Sequence, residues 1–490
     1  MMRRSVSILV SIALMGGTLW GCNPFRPQVR KIPQGRIPET FSFYSRTVKG
    51  PQQWWKAFGD PELNALIEEA LAGSLTLKKA WARLRQAKAL VVQAGADLYP
   101  HLSGSSQGSY GRRKTATETE TGNQGAAPVD PITVKRQTTK EFSLGLTISY
   151  EVDLWGRIRS EREAERLTAT ATREDLNAAA ITLASEVTTR WVSIISQRMQ
   201  KRLLERQLQT NQTYLDLVGL RFRKAMASAL DVYQQRQVVE GVKAQIPLVE
   251  AQEQLLLHEL ALLLGKPPRS RISITRTALV LPEAVPATGI PADLLANRPD
   301  IRAAWRRLQS ADWRVSAARA DRLPAIRLTA GASFGPAQPD LLWENWLLNL
   351  AANLAAPILD GNRRAAEVDR TKAVADERLW AYRETVLTAI KEVEDALVSE
   401  AKRREHIAAL QLQIDAAKRA LEEARDRYRK AIDDYLPVLT QLLAVQTLER
   451  NLIQQRAQLI LDRLALYRAL GGAWPKDLAP PSRVPKPSGT

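Results

Sequence analysis

Two periodicities of apolar residues alternate along this chain, and the alternation occurs twice. Between residues 142 and 150 every second position is apolar, with Phe142, Leu144, Leu146, Ile148 and Tyr150 on one face and Ser143, Gly145, Thr147 and Ser149 on the other. A period of two is that of a strand, here with one apolar and one polar side. Ile326, Leu328, Ala330, Ala332 and Phe334 alternate in the same way with Arg327, Thr329, Gly331 and Ser333. Weaker alternation over 101–111 and 346–358 predicts two more strands, which makes two per half and four in all. The intervening segments 112–140 and 336–345 are polar or turn-rich and read as exposed loops.

Elsewhere the period is helical. A helix is predicted from 62 to 97, with Pro100 ending it. After each strand pair comes a long helical stretch, 157–224 and 363–430, of 68 residues each. At 1.5 Å per residue each spans roughly 100 Å, longer than an ordinary globular helix. Leu176, Ala180, Leu183, Val187, Trp191 and Ile194 recur at coiled-coil spacing, as do Tyr382, Val386, Ile390, Val393 and Leu397. Return helices at 230–264 and 436–470 make each half a long hairpin.

The two halves are related by sequence. A shift of 224 places Ala80, Trp81, Arg83, Leu84, Ala87, Val91, Ala94, Ala96, Asp97 and Pro100 on identical residues from Ala304 to Pro324, ten identities in 21 positions without a gap. A shift of 206 places residues 220–235 on 426–441, and Leu264-Gly265 on Leu470-Gly471. The chain is a tandem duplication, with a first repeat at 54–280 and a second at 290–474.

Four amphipathic strands cannot close into a barrel, and open strand edges are not tolerated in lipid. Several chains must therefore pool their strands. Three copies would give twelve strands around an open lumen, with the helical hairpins hanging from one side; strand counting alone also allows two or four copies.

Composition removes most other readings. The 490 residues are 45% apolar, which is too polar for a bundle of membrane helices. The single cysteine and three scattered histidines exclude a disulfide framework and a Cys/His metal site, and nothing points to a cofactor. The net charge of +18 comes from Lys and Arg dispersed among Asp and Glu, without the basic block that nucleic acid would need. Glu392, Glu394 and Asp395 sit at the spacing of a solvated helix face, and Gly265-Lys266 is followed by two prolines rather than a phosphate-loop Ser or Thr, so no enzymatic constellation is present. A non-conducting coiled-coil scaffold is the remaining rival, and the alternating strands count against it.

The one cysteine is informatively placed. Residues 1–21 carry two arginines and an apolar run over 6–20, and end in Leu-Trp-Gly before Cys22, which reads as a lipoprotein signal peptide with Cys22 as the lipidation site. Residues 22–53 form a Pro-rich, lipid-anchored tether, and 475–490 read as a disordered C-terminal tail.

The segments IPADLLANRPDIRAAW (290–305), AARADRLPAIRLTAG (317–331), PILDGNRRAAEVDRTKAVADERLWAYRETVLTAIKEVEDAL (357–397) and RYRKAIDDYLPVLTQ (427–441), in this order and in a duplicated chain, resemble the TolC-like outer-membrane factors, most closely the NodT-like, lipid-anchored channels of RND-type efflux pumps. The resemblance covers both repeats. It implies an α+β membrane channel: a homotrimer sharing a 12-strand transmembrane β-barrel in outer-membrane lipid, continued by a long periplasmic α-helical barrel. The implied function is passive conduction of substrates from an inner-membrane pump and periplasmic adaptor to the exterior; a duct for type I protein secretion is the alternative.

In the family the gate and the adaptor-docking surface lie at the hairpin tips, here 223–231 and 429–437. The docking positions correspond to Lys224, Ala225, Met226 and Ala227, with repeat partners Lys430, Ala431 and Ile432. Ala225 and Ala431 stand where a glycine is usual, and Pro437 and Thr440 where carboxylates are common. The resemblance assigns gating to Tyr428 and Asp231, hydrogen-bonded between neighbouring hairpins, with Asp433 in place of an arginine and Asp434 as substitute acidic charge.

Overall fold

The structure, a computed structural model, describes residues 24–28, 38–42, 53–117, 133–279, 291–337, 342–471 and 478. Cys22, the signal peptide, most of the tether and all of the C-terminal tail except Leu478 lie outside the described residues. The chain divides into two compact units. One comprises residues 1–30, 87–169 and 307–378, and the other 31–86, 170–306 and 379–490.

The first unit is built on a four-stranded antiparallel sheet in the order β1 (His101–Thr117), β2 (Thr133–Val152), β3 (Ala325–Ala337) and β4 (Trp346–Ala355). Both of the strongest strand expectations are met and extended. β1 continues through 112–117 and β2 begins at Thr133, so much of the expected loop 112–140 is paired strand, with Arg112 opposite Thr138 and Lys114 opposite Arg136. Alternation of charge and hydroxyl carries no apolar signal, yet Thr, Arg and Lys are compatible with a solvated pleat. β4 stops at Ala355, three residues before the expected end at 358.

Short polar contacts tie the helical ends of this unit to the strand ends and to one another. Asp153 accepts from the backbone N–H groups of Ile158 (3.1 Å) and Arg159 (3.0 Å), which supplies acceptors to the first turn of α3 (Arg157–Arg223). Trp155 Nε1 donates to the Pro324 carbonyl at 2.8 Å, just before β3. Ser310 Oγ, on α6 (Pro299–Ala320), donates to the Ala164 carbonyl at 2.9 Å.

The second unit is helical. The expected helix over 62–97 is two: α1 (Pro61–Gly73) and α2 (Leu75–Ala96), separated at Ser74. The periodicity runs through the break, but a Cβ on Gly73 would lie 2.4 Å from the Leu264 carbonyl oxygen, so the close chain approach there uses the glycine. Trp54, Trp55 and Phe58 precede α1 and pack with Leu63 and Ile67 against Leu176, Ala180, Leu183, Val187, Trp191 and Ile194 of α3. The predicted seam is the largest core cluster. Tyr382, Ile390, Val393 and Leu397 of α7 (Arg363–Arg429) form a second cluster with Leu294 and Ile301. Leu294 opens the short α5 (Leu294–Asn297).

Each long helix returns as a hairpin, α3 into α4 (Ala229–Leu263) and α7 into α8 (Tyr435–Ala469). The two hairpins match in length, 67 then 35 residues in both. No described helix is long and apolar enough to cross a membrane.

Candidate functional site

Residues of even number on all four strands share a face, because directly opposed partners in the register are even with even: Leu102 with Ile148, Ile148 with Ala330, and Ala330 with Leu350. That face presents Leu102, Leu146, Ile148, Trp346, Leu348, Leu350 and Leu354, all exposed, with Leu350 reaching 84%. The other face carries Ser103, Ser105, Gln107, Thr147, Ser149, Thr329 and Ser333, although Leu347 and Ala351 make β4 less strict. Among the described strands, β1 and β4 each have one unpaired edge. A single chain thus leaves both an apolar sheet face and two strand edges uncovered.

At the hairpin tips the backbone follows one plan twice. Met226 N–H bonds to the Arg221 carbonyl (2.8 Å) and Ala225 N–H to that of Phe222 (2.9 Å); Ile432 repeats this to Arg427 (3.0 Å) and Ala431 to Tyr428 (3.2 Å). This is the Schellman ending, which needs a left-handed residue after the helix cap. Ala225 and Ala431 fill that place at φ 57° and 56°, so the expected departure from glycine leaves the turn intact and places a strained alanine in it. Lys224, Ala225, Met226, Lys430, Ala431 and Ile432 are exposed, while Ala227 is half-buried against the tip cluster.

The turns then enter the return helices differently. In the first, Ser228 and Asp231 form a reciprocal capping box: Asp231 N–H bonds to Ser228 Oγ (3.2 Å) and Ser228 N–H to Asp231 Oδ2 (2.9 Å). In the second, Pro437 occupies the position of Asp231, and Asp434 stands at the N-cap without a side-chain cap bond. Asp433 instead receives Arg427 through Nε (2.5 Å) and a second nitrogen (3.1 Å). The hydrogen bonds and charge of Arg427 hold the Asp433 carboxyl below its ordinary pKa. Its charge is therefore paired within the chain. The spacing Arg427 to Asp433 has no helical period and gave no signal in the sequence.

Tyr428 is buried, with its ring 5.5 Å from that of Tyr435 and the Arg221 guanidinium 4.1 Å from its centroid. Arg221 also donates to the Tyr428 carbonyl at 3.2 Å. The Tyr428 hydroxyl is enclosed without a hydrogen-bond partner among the described residues. Burial pushes the phenol up in pKa, with Arg221 opposing and the Asp231 carboxylate adding to the rise. Tyr428 and Asp231 thus lie near enough to interact electrostatically within one chain, and no bond joins them there.

Beneath the tips lies a polar ladder that sequence reasoning missed. Asn211 and Gln446 exchange two side-chain bonds of 3.2 Å, Gln235 Nε2 donates to the Asn211 carbonyl (2.8 Å), and Tyr435 Oη donates to Gln235 Oε1 (2.8 Å). All four residues are buried. The acidic helix face was also misread: Glu392 takes Arg298 at 2.7 Å and Glu394 takes the Ser42 N–H at 3.0 Å, so two of the three carboxylates tie chain segments together. Among the described residues no cluster of His, Cys, Asp or Glu has metal-site geometry.

An amphipathic sheet with open edges, carried by a chain that also folds into paired helical hairpins of equal length, fits the expected outer-membrane channel component. Comparison with known proteins agrees. The family model described as outer membrane efflux protein matches residues 66–266 and 290–472, and the chain belongs to that family of transport channels. It is 34% identical over 428 residues to the pyoverdine export outer membrane protein OpmQ of Pseudomonas aeruginosa, covering 87% of this chain and 88% of the relative. The cation efflux system protein CusC of Escherichia coli is 28% identical over 464 residues, covering 93% and 96% respectively. Among solved structures, the outer-membrane channel OprN superposes with a TM-score of 0.79 at 27% identity, over 90% of this chain and 99% of that one. The protein is an outer-membrane efflux channel component.

Proposed function

We propose that this chain is the outer-membrane duct of a tripartite efflux system, in which three copies pool their strands into a 12-strand barrel and their hairpins into a helical conduit. One observation carries the reading: an exposed apolar sheet face bounded by two unpaired edges, which neither water nor lipid tolerates in a single chain. On this reading the even-numbered face meets lipid and the polar face lines the lumen. Conduction is passive, so energy and cargo choice come from an inner-membrane pump. The relatives' names support this division, since proteins of this one architecture serve pyoverdine export and cation efflux.

The exposed tips are the proposed adaptor contact, through Lys224, Ala225, Met226 and Ala227 and their partners Lys430, Ala431 and Ile432. Substituting both Ala225 and Ala431 by Trp is expected to abolish efflux while leaving the assembly intact. Tyr428 and Asp231 are proposed to close the conduit by bonding between neighbouring chains. The two repeats, 54–280 and 290–474, would alternate around the assembly, and Cys22 would carry the lipid anchor. Native mass spectrometry of the detergent-extracted protein tests the assembly: three chains are expected, with a diacylated Cys22 at the mature N-terminus. A monomer, or an unmodified Cys22, would remove the corresponding part.

A further inference from the structure

The β1–β2 hairpin runs well past the β3–β4 hairpin. β2 pairs with β3 only as far as Phe142, whereas β1 and β2 stay paired out to Thr117 and Thr133. On this overhang Tyr110 lies opposite Lys140, Arg112 opposite Thr138 and Lys114 opposite Arg136, all on the even-numbered face that holds Phe142, Leu146 and Ile148. Followed away from the helices, that face changes in order. First come the aliphatic residues; then Phe334, Trp346 and Phe142; then Tyr110 and four cations, Arg112, Lys114, Arg136 and Lys140. All four cations are exposed, and none pairs with a carboxylate of the described residues. Glu141 is on the opposite face; Glu118, Glu120 and Asp130 lie outside the described residues.

The axial spread of these cations narrows the choice of partner. At about 3.3 Å per residue along a strand tilted by about 40°, Lys140 stands about 5 Å and Arg136 about 15 Å beyond Phe142 along the barrel axis. An ordinary phospholipid headgroup layer is only about 5–8 Å deep, so most of the cations would clear it. A headgroup with phosphates spread over a greater height, on a sugar framework, would meet all four.

We propose that Arg112, Lys114, Arg136 and Lys140 form a cationic collar that binds the phosphates of an anionic, phosphorylated glycolipid in the outer leaflet, on the lipid side of the sheet. The collar rests on the sheet being a wall of the membrane barrel. Its apolar band sets the depth of the chain in the bilayer, and the collar adds a preference for the leaflet that carries the charged glycolipid.

The test uses the full-length lipidated protein in vesicles of phosphatidylcholine with or without a lipid A that bears a phosphorylated core oligosaccharide, reading affinity for this lipid A together with pore conductance. Wild type is expected to bind lipid A with an affinity that falls steeply as salt rises. The variant R112Q/K114Q/R136Q/K140Q should bind at least tenfold more weakly, since each cation near an anionic surface contributes about fivefold. The variant R113Q/K135Q, which removes two charges from the opposite face, should bind as wild type does, and millimolar inorganic phosphate should not compete. Equal binding by the quadruple variant, an equal loss in R113Q/K135Q, salt-independent wild-type binding or competition by free phosphate would each overturn the collar. If wild type conducts but shows no preference for lipid A, the collar alone fails. If neither wild type nor Tyr428→Phe forms a pore in either vesicle, the barrel reading fails and takes the collar with it.

Discussion

Ala225 and Ala431 hold left-handed backbone that their Cβ atoms disfavour. The cost of that conformation for an L-residue is about 1–2 kcal/mol, and glycine avoids it while being more flexible when unfolded. Ala225→Gly and Ala431→Gly should therefore each stabilise the protein by about 1 kcal/mol, read as a higher denaturation midpoint; a lower midpoint would contradict the strain. The repeated Gly265 and Gly471 show the opposite choice. Both have positive φ, and a Cβ there would lie 2.4 Å from the Gly73 carbonyl oxygen and 2.7 Å from Arg298 Cγ respectively. At the tips Ala225 and Ala431 are exposed, so a Cβ is accommodated; at the hairpin bases both φ and space demand glycine, and the sequence repeat keeps it.

A second residue-scale prediction concerns Glu400, which is buried and accepts from Arg463 at 2.8 and 2.5 Å and from Arg404 at 3.0 Å. Burial alone would raise its pKa, but the two guanidiniums outweigh burial and leave it below the ordinary carboxylate range. Because the folded pKa lies below the unfolded one, the pair's stabilisation is complete above the unfolded value, near pH 4.3, and is lost as pH falls through the folded value. Glu400→Gln should cost about 3–5 kcal/mol, since Arg463 stays buried and charged, and should flatten the acid limb of the stability profile. An unchanged acid limb would show that Glu400 does not couple folding to pH.

At the scale of elements, the amide ladder under the tips makes the hairpins specific. Asn211→Leu orphans the side-chain amide of Gln446, while the Gln235 bond to the Asn211 backbone carbonyl survives, and should destabilise by about 1–3 kcal/mol. Asn211→Leu with Gln446→Leu should cost less than the sum of the two single changes, because removing both partners leaves fewer buried polar groups unsatisfied. Additive losses in a denaturation cycle would mean that the two amides act independently. None of this ladder was legible in advance. Its members fall at seam positions of α3, α4 and α8, where a polar residue in one sequence looks like an interruption until its partner, 235 positions away, is placed beside it.

Period was the readable quantity. The α3 seam from Leu176 to Ile194 and the strand face from Phe142 to Tyr150 stood out because each sets an apolar side against a polar one. The break at Ser74 and the charged outer halves of β1 and β2 did not, since a close backbone contact and a solvated pleat impose no apolar rhythm. Tip positions were legible through the repeat, and the use of Asp433 by Arg427 was not, because it depends on the turn geometry alone.

For the whole molecule, the uncovered sheet face points outside the single chain, whereas the Tyr428 hydroxyl is enclosed within it and must turn outward to reach a neighbouring hairpin in the proposed gate. Tyr428→Phe removes a hydroxyl without a bond in its own hairpin, so it should leave hairpin stability nearly unchanged while raising the conductance of the proposed gate. Asp231→Ala should raise conductance as well, at about 1 kcal/mol of lost capping, and the double variant should raise it by less than the sum. Fully additive effects, or none, would reject the pairing.

Single-channel recording in planar bilayers, with the purified full-length protein as the only component, bears most directly on the channel itself. Stepwise currents of uniform size are expected, increased by Tyr428→Phe. A folded, membrane-inserted protein that never produces a current step, even with the Tyr428→Phe change, would contradict the pore.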